Sequence, residues 1–296
     1  MPPNCSLNRR HLLGLGVSSM ASATLPSNDL SATESPAAVW PIIDTNVSLF
    51  HWPFRRLPLD NTQALVFKLC ELGCVQAWAG SFEGLLHRDI TQVNQRLVEA
   101  CRSHQELVPV GSINPKLPDW EQDLKICLET HRMSVIRLHP NYHGYALNDP
   151  HLLKLLTYTA AAKCLVQIAV SMEDVRTQHP LMQVADVNLD PLPEVMSRVD
   201  NSRIQLLNYK PTAASLGKID VLPHLYFETA RVEGTDGVPQ LVHSLPAGRV
   251  LFGSHAPLLI PQAALIRVHE SGQLTDSGLQ AVLAGNAERL MTGTEL

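Results

Sequence analysis

The sequence predicts an α/β fold, a single-domain (β/α)8 TIM barrel, on three observations. Eight short apolar runs are spread along residues 39–255, stretches of helical period separate them, and the runs are apolar on both faces instead of alternating. Strands buried on both faces and joined through helices make a parallel sheet, and eight such units in about 250 residues close that sheet into a barrel. An open doubly wound sheet would carry a Gly-rich phosphate turn after its first strand. Residues 45–50 contain no glycine.

In chain order, Arg9 and Arg10 precede a weakly apolar run that begins at Leu12, and Ala21, Ser22 and Ala23 supply the small residues a signal peptidase accepts. Residues 1–23 therefore read as a twin-arginine export signal, which implies a periplasmic or other extracytoplasmic location. The run is too short and too rich in Gly and Ser for a membrane span, which needs roughly 20 apolar residues. Residues 24–37, with Ser, Asn, Asp and Pro, read as a flexible spacer, so the barrel is expected over 38–296. Its strands are expected at 39–44, 75–81, 107–113, 135–140, 165–171, 203–209, 225–231 and 249–255. Helices are expected at 62–72, 89–104, 119–131, 150–163, 238–245 and 276–291, where apolar residues recur three and four apart. The fifth unit is longer than the rest. Its segment 172–192 carries Glu173, Asp174, Arg176 and His179 and two prolines before any further helix. In a barrel that segment is a loop at the C-terminal face, where long loops form lids or substrate walls.

Composition narrows the partners. With 45% hydrophobic and 17% charged residues the chain is globular, and a net charge of -5 without a basic run beyond the N-terminus argues against nucleic acid or an anionic membrane. Cleavage after residue 23 would leave Cys70, Cys74, Cys101, Cys127 and Cys164, an odd number. They lie among apolar neighbours on stretches that read as helices, and are expected to be small core residues. Cys70 and Cys74 lack the second pair that a zinc site would need.

Several short stretches, in order, carry a resemblance: Ile43 and Asp44, then 136–140 with Arg137 and His139, 165–168, 250–254, and 286–290 with Asn286 and Arg289. Over 42–290 the chain resembles the amidohydrolase-related family, whose branch includes carboxymuconate-semialdehyde-type decarboxylases and small lactone hydrolases. The resemblance implies a divalent metal, zinc or manganese. It would be held by a His-x-His pair on the first strand, histidines on the fifth and sixth, and an aspartate on the eighth. Side chains two apart on a strand point the same way, so such a pair reaches one ion. The matching positions here are Asn46, Ser48, Ala169, Asn208 and His255. The expected ligands are missing, so no cofactor and no metal-binding residue is predicted.

The resemblance also implies that chemistry can survive this loss, since some lactone-hydrolysing relatives are understood to work without a metal. His255 is the candidate general base, Asp44 the group that orients a histidine or a water, and Asn208 a donor to an oxyanion. Arg137 is placed to hold a substrate carboxylate, with His139 beside it on the same strand. Further substrate contacts are expected from His51, in the aromatic and cationic stretch 50–56, from Tyr142 and His143, and from Glu173 and Arg176 of the long loop. Structural roles compete with these: Asp44 and Asn208 satisfying buried backbone groups, and Arg137 pairing with Glu228. The expected function is hydrolysis of a small carboxylate-bearing lactone, ester or amide. The alternatives are a non-catalytic barrel that binds a ligand or partner, and a decarboxylase with a metal site rebuilt from Asp44, His139, His143 and His255.

Overall fold

The computed structural model describes residues 40–293; the export signal read at 1–23 and the spacer at 24–37 lie outside them. Among the described residues, eight parallel strands form the barrel: β1 (Ile42–Leu49), β2 (Cys74–Ser81), β3, β4 (Val135–Leu138), β5 (Leu165–Ala169), β6 (Arg203–Leu207), β7 (Leu225–Glu228) and β8 (Val250–Leu251). β3 comes in two pieces, Leu107–Pro109 paired with β2 and Gly111–Ser112 paired with β4. Between them the Val110 N–H donates to Ala79 O at 2.9 Å, so the ladder is continuous. Closure comes after β8, where Phe252 O accepts from Thr45 N–H (3.0 Å) and Ala256 O from Ser48 N–H (2.9 Å). The predicted barrel is the fold.

Its details differ from the sequence expectation in three places. β1 begins and ends later than 39–44, because Val47–Leu49 pair with β2 on one side while Thr45 and Ser48 bond to the chain after β8 on the other, and all of Ile42–Leu49 is buried. Cys74 opens β2 and Cys164 lies in the turn before β5, so these two are strand-edge residues, whereas Cys101 and Cys127 are helical; all four are buried. The stretches 119–131 and 276–291 each widen into a π turn, at Ile126–Thr130 and Ala281–Gly285.

The interior follows from the period of two along a strand. At the N-terminal end Ile43, Val110, Val135, Leu165 and Leu251 meet Trp78, and Ala284, Ala287 and Leu290 close that end from below. Two residues further along each strand the interior turns polar, with Thr45 on β1, Arg137 on β4, Gln167 on β5 and Gln205 on β6. Register sets Arg137 opposite Gln167 and Gln167 opposite Gln205. Another step along β4 and β5 brings His139 and Ala169 to the C-terminal mouth. Outside the barrel, Leu65 and Leu69 (helix Thr62–Glu71), Leu97 (helix Ile90–Arg102) and Leu155 and Leu156 (helix Pro150–Ala161) join Ile136, Val166, Ile204 and Leu206 in one apolar shell. Each such leucine contributes about 1.5–3 kcal/mol relative to an exposed one.

Candidate active site

The polar layer is a closed hydrogen-bonded circuit. Arg137 donates from Nε to Gln167 Oε1 (2.9 Å), from Nη1 to Val47 O (3.0 Å) and Ser48 Oγ (3.1 Å), and from Nη2 to Trp78 O (3.4 Å). Gln167 Nε2 donates to Thr45 O and to Gln205 Oε1, both at 2.8 Å, and Gln205 Nε2 donates to Thr45 Oγ1 at 2.8 Å. Gly80 makes room for the guanidinium, since a Cβ there would lie 2.7 Å from Arg137 Nη1. Burial pushes the Arg137 pKa down to about 10, against the pull of Asp44 and Glu228.

Asp44 lies within β1, just before Thr45, and the other groups stand at the strand ends above this layer. Asp44 Oδ1 accepts from the N–H groups of Asn46 (3.1 Å) and Ser254 (2.9 Å), and burial raises its carboxyl to about 6. Asn208 stands just past β6 at φ 56°, a left-handed conformation that asparagine tolerates better than most residues. Its Oδ1 accepts from Asn46 Nδ2 (2.8 Å) and its Nδ2 donates to Ser171 O (2.7 Å). Glu228, at the end of β7, accepts from the N–H groups of Asn208 (2.6 Å) and Ala230 and from Asn46 Nδ2 (3.3 Å). Burial nonetheless outweighs these bonds, and the Glu228 carboxyl is raised to about 7. His255 Nε2 lies 2.7 Å from Met172 O. A carbonyl only accepts, so Nε2 carries the proton and Nδ1 is the basic nitrogen. Burial lowers the His255 pKa to about 3. His139 is lowered well below its usual value, first by burial and then by His143, Arg137 and His255.

The mouth is thus built from Asn208, His139 and His255, together with Glu228, whereas Arg137, expected to hold a substrate carboxylate, lies in the layer below with its donors engaged by Gln167, Val47 O, Ser48 and Trp78 O, and Asp44 lies within β1. Glu228 enters the sequence reading only as a partner for Arg137; an acid closing an apolar strand-like run, 225–228, is the signal that marks it. Tyr142 and His143 sit on the short helix Pro140–His143, which starts at proline and ends at Gly144 in the left-handed conformation. The His143 ring lies 6.0 Å from that of His139, and its Nε2 is 3.0 Å from Gly84 O. Glu173 is buried beneath Arg55, with which it pairs. Two candidates lie elsewhere. His51 is exposed and faces Asp60 at 3.4 Å, in a separate cavity of about 460 Å³ that also contains Phe50 and His87. Arg176 is exposed and folds back on Asp174 (2.9 and 3.0 Å).

The donor set does not fit the divalent metal that the resemblance implies. Asn46 and Asn208 hydrogen-bond to each other, so Asn208 Oδ1, which a metal would need, is occupied; Ala169 offers no donor, and the Ser48 hydroxyl accepts from Arg137. Among the described residues no group of three or more His, Cys, Asp or Glu is arranged to hold an ion. Space is as closely assigned as bonding. A Cβ at Gly253 would lie 2.5 Å from Glu228 Oε2 and 3.1 Å from Asn46 Cβ, both fixed by their own bonds. Gly253→Ala is therefore expected to cost about 1–3 kcal/mol in urea unfolding. A loss below about 0.5 kcal/mol would show that Glu228 can shift aside.

The amidohydrolase family model matches residues 74–291. No curated protein matches the chain. Among solved structures, the 5-carboxyvanillate decarboxylase of Sphingomonas paucimobilis is 11% identical, covering 86% of this chain and 99% of its own, with a TM-score of 0.64. A dihydroxybenzoic acid decarboxylase from a Polaromonas species, with bound manganese and 2-nitroresorcinol, is 12% identical (87% and 98% covered, TM-score 0.63). An uncharacterised TIM-barrel protein of Bordetella bronchiseptica is 14% identical (85% and 98%, 0.64). At such identities the likeness is one of fold.

Proposed function

Because the chain belongs to the amidohydrolase family while its strand ends carry amide, imidazole and carboxyl groups in place of a ligand set, we propose that it is an enzyme that moves protons without a metal, on a small anionic substrate. Hydrolysis of a carboxylate-bearing lactone, ester or amide is the leading reaction. The observation that carries this reading is Glu228, a carboxyl buried at the C-terminal end of β7 and raised to about 7. A proton-transfer group works best when its pKa lies near the working pH, and displaced values in a strand-end cluster mark functional sites. His255, at about 3, is neutral at that pH and, with its Nε2 proton held by Met172 O, is better placed to orient a water through Nδ1 than to act as the main base.

In this proposal Glu228 takes the proton of the attacking water and Asn46 and Asn208 keep its carboxyl in place. Decarboxylation, the reaction named for two of the similar structures, would ask the same carboxyl for the opposite step, protonation of the carbon that loses carbon dioxide. The signal read at residues 1–23 would put this chemistry outside the cytoplasm. Turnover of a panel of lactones, esters and small carboxylic acids tests the reading. Glu228→Gln is expected to lower kcat by about 100-fold or more and to remove a pH-rate inflection near 7. Equal rates and equal pH profiles in the two proteins would exclude Glu228.

One observation favours a second reading, a non-catalytic barrel in which these polar groups are structural. Asp44, Asn46, Arg137, His139, Asn208, Glu228 and His255 are each no more than 2% exposed. If no member of the panel is turned over, that reading replaces the enzymatic one.

A further inference from the structure

We propose that residues 50–60, the loop after β1, form a lid that is latched shut over the barrel mouth and must lift before any ligand reaches His139 and His255. The inference rests on the mouth being the working site, as argued above. Three features of the loop point to it.

The first is where the loop goes. Trp52 inserts above Ala169 and Met172 and packs edge-on against Phe82 (5.1 Å between ring centroids) and Tyr142 (6.4 Å). This plug lies over the strand ends whose buried polar groups form the candidate site. The second is how it is held. Its main-chain bonds are local, Asp60 N–H to Leu57 O and Leu57 N–H to the Asp60 carboxylate, whereas side chains tie it to the barrel. Arg55 crosses to Glu173, and Phe54 stacks on His179 at 6.1 Å, so both ties end on the long loop after β5. The pair is asymmetric: the Arg55 side chain is 41% exposed and Glu173 3%. Arg55 can swing into water, while Glu173 stays behind as a buried carboxylate. The third is the ends. Phe50 holds φ 70° where β1 stops, and Asn61 caps the helix Thr62–Glu71, so the loop is bounded by a strained residue and a fixed helix start. Hinges are a few element-terminal residues of this kind, and a segment without main-chain bonds to the core can open while the core stays folded.

Hydrogen exchange read by mass spectrometry, on the full chain without substrate, tests the lid independently of turnover. Amides in 50–60 are expected to exchange faster than those of β4, β5 and β6 in the native protein. Arg55→Met is expected to accelerate the loop about tenfold while the strands are unchanged. Phe54→Ala, which removes the second tie and leaves the ion pair intact, is expected to act in the same direction. If neither variant speeds exchange in 50–60, the loop is a fixed part of the barrel and the lid is wrong. A uniform acceleration of loop and strands together would also overturn it, since the loop would then open only by global unfolding. A lid that moves in a protein without turnover would leave this inference standing and remove the enzymatic reading alone.

Discussion

Arg137→Met is expected to destabilise the fold by about 3–5 kcal/mol, the cost of removing one partner from a buried, hydrogen-bonded charge cluster. The guanidinium is 2% exposed and donates to Gln167, Val47 O, Ser48 and Trp78 O. Methionine fills much of the volume but satisfies none of these acceptors, and each one left bare costs about 1–3 kcal/mol before relaxation. The guanidinium is also the cation beside Asp44 and Glu228. Its loss lets both carboxyls bind protons more readily, so the penalty is expected to be larger at pH 8 than at pH 5. Urea midpoints with an unchanged slope measure this. Arg137→Lys, which keeps the charge and loses the fork, should fall between the two. A loss below about 1 kcal/mol, equal at both pH values, would mean that the cation is dispensable.

Stability is expected to peak between pH 6 and 7 and to fall by several kcal/mol on acidification to about pH 4, driven by the buried histidines. His255 is lowered to about 3 and His143 to about 4, and His139 lies well below its usual value; burial is the leading cause for all three. Unfolded, each titrates near 6.5. Below that pH the unfolded chain binds more protons than the native one, so stability falls as pH falls. Asp44 and Glu228 work the other way, because their native values of about 6 and 7 lie above those of the unfolded chain. Their contribution is complete below about pH 4 and is lost as pH rises through 6 and 7. Three lowered imidazoles outweigh two raised carboxyls between 4 and 6.5, and the carboxyls alone produce the decline above it. Unfolding midpoints from pH 4 to 8 for the native chain and His255→Gln test the balance. The variant should show a shallower acid limb, and equal limbs would remove His255 from the account.

Much of this was readable in the chain. Apolar runs with helical stretches between them announced the eight strands, and the period of two put Arg137 and His139 on one face of β4. His255 was legible as a strand-end residue because a short motif surrounds it, whereas Asp44, expected at the end of the first strand, is the third residue of a β1 that runs on to Leu49. Glu228 and the two unrecruited candidates were not legible. His51 and Arg176 lie in loops rich in charge and aromatic residues, and composition does not say which way a loop side chain turns. Glu228 was hidden because its significance lies in what surrounds it: two backbone N–H groups, Asn46 from β1 and the bare Cα of Gly253.

The sequence by itself determined the barrel and its closing number of strands, because these depend on local period and on residue identity. Only the tertiary structure decided that Arg137 turns inward to Val47 and Ser48, some 90 residues earlier in the chain, and that Asn46 bonds to Asn208, 162 residues later. Those partners are chosen by the register and closure of the whole barrel. A strand's own pattern shows which face a side chain is on, while the strand opposite determines what it meets there.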